Sequence, residues 1–231
     1  MPHPFVPFGA AHLTAIALAL AIPLALAGLA RPVRGTALAD AIRYLFAAEL
    51  LAMYALWFWL LYAGMVGNAL PMHLCDWAAI ATIVSLVRPN RKSFELAYFW
   101  TFSGTLQATL TPELALGWPD LRFVIFFGFH CGVIAAVLYL MFAMRLRPHA
   151  ASIPRVVAWT LFYGAAAGTV DWITGANYGF LRGKPADPSV LDLLSPWPWY
   201  IAELIPIGLG FILILYLPFF VRDRFQDRSR P

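Results

Sequence analysis

Charge is scarce in this chain. Asp, Glu, Lys and Arg make up 12% of its 231 residues, against 61% hydrophobic residues. A soluble domain carries about twice that share of charge. An unpaired charge is too costly in hydrocarbon, so the composition points to a chain built for lipid. Cysteine is scarce too. Cys75 and Cys131 are the only two, which excludes a disulfide framework, and their spacing matches no zinc pattern. The segment Met1 to Gly9 has no Lys or Arg, so a cleaved secretory signal is not expected and the first apolar stretch reads as a retained helix. The apolar runs do not alternate and are too long for strands. There is no internal repeat of the kind common in secondary transporters. The net charge of +4 is spread over helix ends rather than gathered in one patch, which argues against nucleic acid as a partner.

What is present is a series of long apolar segments. A spanning helix needs about 20 apolar residues. Helices are expected at 9–30, 39–63, 70–87, 94–112, 121–144, 154–175 and 197–220. The fold class is therefore an all-α polytopic membrane protein, a seven-helix bundle forming one transmembrane domain over 1–231. Breakers separate the segments at Arg31-Pro32, Gly64 to Asn68, Arg88-Pro89-Asn90, Pro112, Trp118-Pro119, Pro148 and the stretch Gly175 to Pro196. Only that last connection is long, at about 20 residues, and long ordered loops are usually functional.

Cation placement sets an expected orientation. Of the 16 Lys and Arg residues, Arg122, Arg182 and Lys184 fall on one side. The rest follow helices one, three, five and seven, at Arg31, Arg34, Arg43, Arg88, Arg91, Lys92, Arg145, Arg147, Arg155, Arg222, Arg224, Arg228 and Arg230. That bias places the amino terminus outside and the carboxyl terminus in the cytoplasm, and it fits an odd number of spans. Trp118, Trp197, Trp199 and Tyr200 then fall at the outer boundary, where aromatics anchor to headgroups.

Polar side chains within the spans are unevenly shared. His12, His73, Cys75, Asp76, Gln107, Thr111, His130, Asp171, Asn177, Tyr178 and Glu203 fall in the outer half, with Glu49 near mid-depth of helix two. Ionisable residues at such depth are costly and become functional candidates. At 1.5 Å per residue, Cys75 lies roughly 8 Å below the outer end of helix three and His130 roughly 13 Å below that of helix five. In helix four, Trp100, Ser103, Gly104, Gln107 and Thr111 share a side, and in helix six Gly164, Gly168, Asp171, Gly175 and Tyr178 do. Gln107 and Asp171 are thus expected to point inward. His73 sits about 200° around from Cys75 and cannot share its face.

A thiol and an imidazole in one buried pocket are the parts of a nucleophilic catalyst. Cys75 would attack and His130 would act as base. Gln107, Thr111, Asn177 and Tyr178 are candidate oxyanion or substrate contacts, and Asp171 or Glu203 could orient the imidazole. Plainer readings stand beside this one. Cysteine is often buried as a small apolar residue, and His130 could simply bond a helix carbonyl. His73, Cys75 and Asp76 with His130 could bind a metal, although the facing argument opposes it. His12 with His130 could hold haem. Cys131 points about 100° from His130; were it to face Cys75, a disulfide would remove the catalyst. Arg182 and Lys184 read either as a solvated loop or as a cationic rim for a phospholipid headgroup.

The same residues carry a resemblance. LPMHLCDWA (70–78), YFWTFSGTLQATLTPEL (98–114), LRFVIFFGFHCGVIAAVLYL (121–140), GANYGFLRGKP (175–185) and LLSPWPWYI (193–201) resemble the YwaF-like family of bacterial integral membrane proteins. That family is similar to animal transmembrane protein 164. The likeness runs over roughly 9 to 220. Its animal relatives are lipid acyltransferases with a cysteine nucleophile and a histidine partner, similar in plan to the androgen-induced membrane lipid hydrolases, which use threonine and histidine. The resemblance implies that Cys75 of the HLC motif is the nucleophile and His130 its partner. NYGFL stands here where bacterial members carry NYMFL. The expected function is transfer or hydrolysis of an acyl chain from a membrane phospholipid, with a lysolipid or water as acceptor and no cofactor or metal, in the bacterial cytoplasmic membrane. A transporter or channel with an outer polar cavity, and a scaffold without chemistry, are the competing readings.

Overall fold

The computed structural model describes residues 3–30, 32, 35–64, 70–186 and 189–228. Arg31, Arg34, Asn68 and Arg230 lie outside the described residues. The described chain is helical, and its one β-type pairing is the isolated bridge between Pro4 and Leu116. Its seven helices are α1 (Ala10–Ala30), α2 (Ala37–Tyr62), α3 (Leu74–Val87), α4, α5 (Leu121–Phe142), α6 (Ser152–Thr174) and α7 (Trp199–Arg228). Helix α4 is composite: Arg91–Trp100, a π-helical turn Thr101–Thr105, and Leu106–Leu110.

Five helices, α1, α2, α5, α6 and α7, are each long and apolar enough to cross a membrane. Their apolar side chains face outward to an extent that water would penalise. Leu29, Leu45, Ile214 and Phe225 are each about two-thirds exposed, and a soluble surface does not carry such continuous apolar faces. The protein is a multi-pass integral membrane protein. Helix α3 is shorter than the sequence suggests. Its 14 residues rise about 21 Å, because the His73 N–H turns to the Asp76 carboxylate at 2.9 Å and fixes the start at Leu74. Helix α7 runs the other way, continuing through Pro218 and past residue 220 to Arg228.

Local chemistry sets the other ends. Asn90 accepts from Ser93 N–H at 3.0 Å and starts α4. Asp120 accepts from Arg122 N–H at 2.9 Å and starts α5, while the Arg122 guanidinium holds the Asp120 carboxyl below the usual carboxylate range. Gly175, at φ 77°, supplies the left-handed residue that closes α6. Arg43 is nearly buried. It donates to the carbonyls of Leu86 and Val87 and bonds Asp40 at 2.7 Å, so it serves the bare carbonyl end of α3 rather than a loop.

Helix α5 is the hub. Its most apolar stretch is 72% buried, against 11% for that of α7, and α1, α2, α3 and α4 pack around it. Close approach is helped by small residues: Gly128 faces Met53 and Gly132 faces the Glu49 carboxylate, where a Cβ would force those side chains to shift. Glu49 is thus a packing contact between α2 and α5, with Oε2 lacking a partner among the described residues. Helix α6 packs on α4, and α7 contacts α6 and the π turn.

Candidate functional site at the head of helix three

The first turn of α3 sits beneath the loop that follows α6. Leu70 N–H donates to the Tyr178 hydroxyl at 3.3 Å, and the His73 and Tyr178 rings meet edge to face at 5.1 Å. Asp171, fully buried near the end of α6, accepts the Tyr178 N–H at 2.7 Å, while its other oxygen has no partner among the described residues. Asp171 therefore points inward, as its spacing predicts. Asn177 staples the loop: its Oδ1 accepts from Arg182 and Gly183 N–H at 2.8 and 3.2 Å, and its Nδ2 donates to the Gly183 carbonyl at 2.9 Å. Lys184 donates to the Leu194 carbonyl at 2.8 Å, so this cation ties the loop together rather than standing free at a rim. Tyr200 is fully buried, with its hydroxyl on the Phe180 carbonyl, and is not an interfacial anchor. Trp118 and Trp199 are exposed in the manner of anchors.

The Asp171 contact gives a direct test of the lid this loop forms. Asp171→Ala leaves a buried N–H without its acceptor, an effect of about 1–3 kcal/mol. Amide exchange over 175–183 should accelerate, and Asp171→Asn, which keeps an acceptor oxygen, should change it less. Unaltered exchange in the alanine variant would mean that the loop is held by other contacts.

Cys75 falls in the first turn of α3, because the helix begins at Leu74 and not near residue 70. It is a free thiol and half-buried. Asp76 beside it is held by His73 N–H and by the Tyr54 hydroxyl at 3.2 Å. Tyr54 in turn meets the Phe129 ring edge-on at 4.9 Å, which links α2 and the head of α3 to the residue adjoining His130. On the other flank Trp77 and Tyr163 pack at 5.4 Å. The Tyr163 hydroxyl is buried and has no partner among the described residues.

His130 is buried on α5. Its Nδ1 lies 2.8 Å from the Phe126 carbonyl, one turn back, and its ring stacks on Phe126 at 4.1 Å. A carbonyl only accepts, so Nδ1 carries the proton and Nε2 keeps its lone pair. Hence the group that orients His130 is a backbone carbonyl. Neither acid proposed for that role bonds the ring: Asp171 serves Tyr178, and Glu203 accepts from the N–H and hydroxyl of Ser195. Cys75 and His130 are not hydrogen-bonded to each other among the described residues.

Gln107 is partly buried on α4, with no side-chain hydrogen bond among the described residues, and so has a free amide. Thr111 is exposed and bonds the Gln107 carbonyl at 3.0 Å. The π turn between them and Trp100 has no counterpart in the sequence reading. It leaves the buried hydroxyls of Thr101 and Thr105 without partners among the described residues, and such wide turns recur at functional sites. A Cβ at Gly104 in that turn would run into the Leu74 side chain, next to Cys75.

The other polar candidates resolve locally. Cys131 turns toward α1, with its sulfur 3.7 Å from the Ala15 carbonyl, and no disulfide joins it to Cys75. His12 uses both ring nitrogens, accepting from Phe8 N–H at 2.9 Å and donating to the Thr109 carbonyl at 2.8 Å. It joins the start of α1 to the end of α4 and has no nitrogen left for an iron. Among the described residues, no group of three or more His, Cys, Asp and Glu side chains is arranged to hold a metal ion.

The sequence pattern of the TMEM164 family matches residues 7–216, which spans every helix from α1 well into α7. Neither the curated proteins nor the solved structures contain a match to the chain.

Proposed function

Because the chain belongs to the TMEM164 family, we propose that it is a lipid acyltransferase or acyl hydrolase in which Cys75 attacks a phospholipid ester and His130 moves the proton. The observation that carries this reading is the state of His130. Its Nδ1–H is fixed on the Phe126 carbonyl, so Nε2 is available as a base. The free thiol of Cys75 lies at the head of α3, a region joined to His130 through Tyr54 and Phe129.

The chemistry balances without a cofactor. Cys75 Sγ bonds the acyl carbonyl carbon as its proton passes to His130 Nε2, so no standing thiolate has to be kept in an apolar setting. The tetrahedral adduct collapses, the ester C–O bond breaks, and the leaving lysolipid oxygen takes the proton back from His130. A lysolipid hydroxyl or water then attacks the thioester by the reverse sequence. Gln107, with its free amide, and the Tyr178 hydroxyl are the candidate donors for the oxyanion. Thr111 and Asn177 are weaker candidates, since their donors already serve backbone carbonyls. A chamber poor in water favours transfer over hydrolysis.

The proposal includes the membrane placement. The chain crosses seven times, with α3 and the composite α4 completing the five longer spans. The amino terminus is outside, the Cys75 region opens to the outer leaflet, and the membrane is a bacterial cytoplasmic membrane.

The test is covalent capture. Purified protein incubated with a phospholipid bearing a labelled acyl chain should gain one acyl mass on the peptide containing Cys75, removable by neutral hydroxylamine. An unmodified Cys75 during turnover, or a label on another residue, would defeat the reading.

A further inference from the structure

One cavity is lined by none of the residues described around Cys75 and His130. It holds about 930 Å³ and opens where the end of α5, the following loop and the last turns of α7 meet. Its floor is apolar, made by Met141, Phe142, Pro218 and Phe219, and its rim carries Arg145, Arg147 and Arg222. One rim charge is neutralised: Arg147 pairs with Asp223. Arg145 and Arg222 make no hydrogen bond or ion pair among the described residues, and both are exposed.

The backbone here is also unusual. Arg145 adopts φ 58°, in the left-handed region that helices ordinarily give to glycine at their ends. Leu146 N–H reaches back to the Leu140 carbonyl at 3.2 Å, closing the helix around that residue. An arginine in a glycine position is a local strain that persists only when the surroundings hold it.

We propose that this crevice is a binding site for an anionic phospholipid, distinct from the acyl-transfer centre. The two unpaired guanidiniums match a phosphodiester, for which arginine's forked donors are suited. The apolar floor matches the upper part of the acyl chains. Neutral lipids lack the net negative charge that two free arginines require, and a free phosphate ion would leave the floor uncovered. On the orientation proposed above, the site faces the cytoplasmic leaflet, where basic pockets between helices bind anionic headgroups.

Native mass spectrometry of the full chain, released from micelles containing matched phosphatidylglycerol and phosphatidylcholine, tests this. Wild-type protein should retain phosphatidylglycerol at least about fivefold over phosphatidylcholine. Arg145→Gln with Arg222→Gln should bring that ratio close to one, whereas Arg88→Gln with Lys92→Gln, an equal charge loss at the same end, should preserve it. Excess inorganic phosphate should not displace the lipid, and Cys75→Ala should bind as wild type does. A wild-type ratio near one, an unchanged ratio in the rim variant, or displacement by inorganic phosphate would each overturn the assignment. The wild-type ratio keeps the test decisive even if the rim variant fails to fold.

Discussion

Cys75→Ala should lower acyl transfer by at least about a thousandfold, to the rate seen without protein, since a covalent route has no substitute for its nucleophile. His130→Ala should lower it by about a hundred- to ten-thousandfold, the range of a positioned general base. The two losses should not add. Residues that act as a unit lose their joint effect when either is removed, so the double variant should be about as slow as Cys75→Ala alone. Cys75→Ser should also fall well below wild type, because an alcohol gives up its proton less readily than a thiol and is the weaker nucleophile. His73→Ala is the informative contrast. Its ring packs on Tyr178 and Phe180 rather than serving as the proposed base, so most of the turnover should survive. Release of a labelled chain from phospholipid in reconstituted vesicles measures all of these. Full activity in Cys75→Ala or His130→Ala would remove the mechanism. If, instead, a solute flux persisted in Cys75→Ala with no acyl transfer in wild type, the transporter reading would replace it.

The membrane character, the all-helical fold and the approximate placement of seven helices were legible because they rest on composition and on long apolar runs. Helix ends were less so. The run from Leu70 to Val87 looks continuous, but a carboxylate three residues past His73 competes for the first N–H and starts α3 four residues late. That shift moves Cys75 from a point inside a helix to its first turn. The π turn in α4 was invisible because YFWTFSGT has an ordinary apolar pattern, and a five-residue hydrogen-bond step leaves no mark on composition. Chemical type made His130 a candidate, and of the surroundings weighed for its ring, an acid or a helix carbonyl, the carbonyl one turn away is the one that bonds it. Arg43 and Glu95 were hidden for a related reason. Sequence counts a charge near a helix end as solvated, whereas packing can bury it against the bare end of a neighbouring helix or against an opposite charge.

Glu95 carries the largest stability effect that follows from that burial. It is 1% exposed on α4, pairs with Arg155 at the start of α6, and has Arg91 at 3.4 Å. Arg155→Ala should destabilise the protein by about 2–4 kcal/mol, because breaking a buried pair leaves an uncompensated charge, and the partial exposure of Arg155 together with the remaining Arg91 trims the full penalty. Glu95→Gln should cost less, about 1 kcal/mol, since the amide keeps the volume and one acceptor while the charge that demanded compensation is gone. The asymmetry is the point. A pair held chiefly by mutual attraction would lose similar amounts from either side, whereas a buried carboxylate that needs its cation loses more when the cation is removed. Thermal unfolding midpoints in one detergent should therefore rank wild type above Glu95→Gln, and Glu95→Gln above Arg155→Ala. The double variant should recover part of the Arg155→Ala loss. A Glu95→Gln midpoint at or below that of Arg155→Ala would show that α4 and α6 are joined here by packing, with the ion pair incidental.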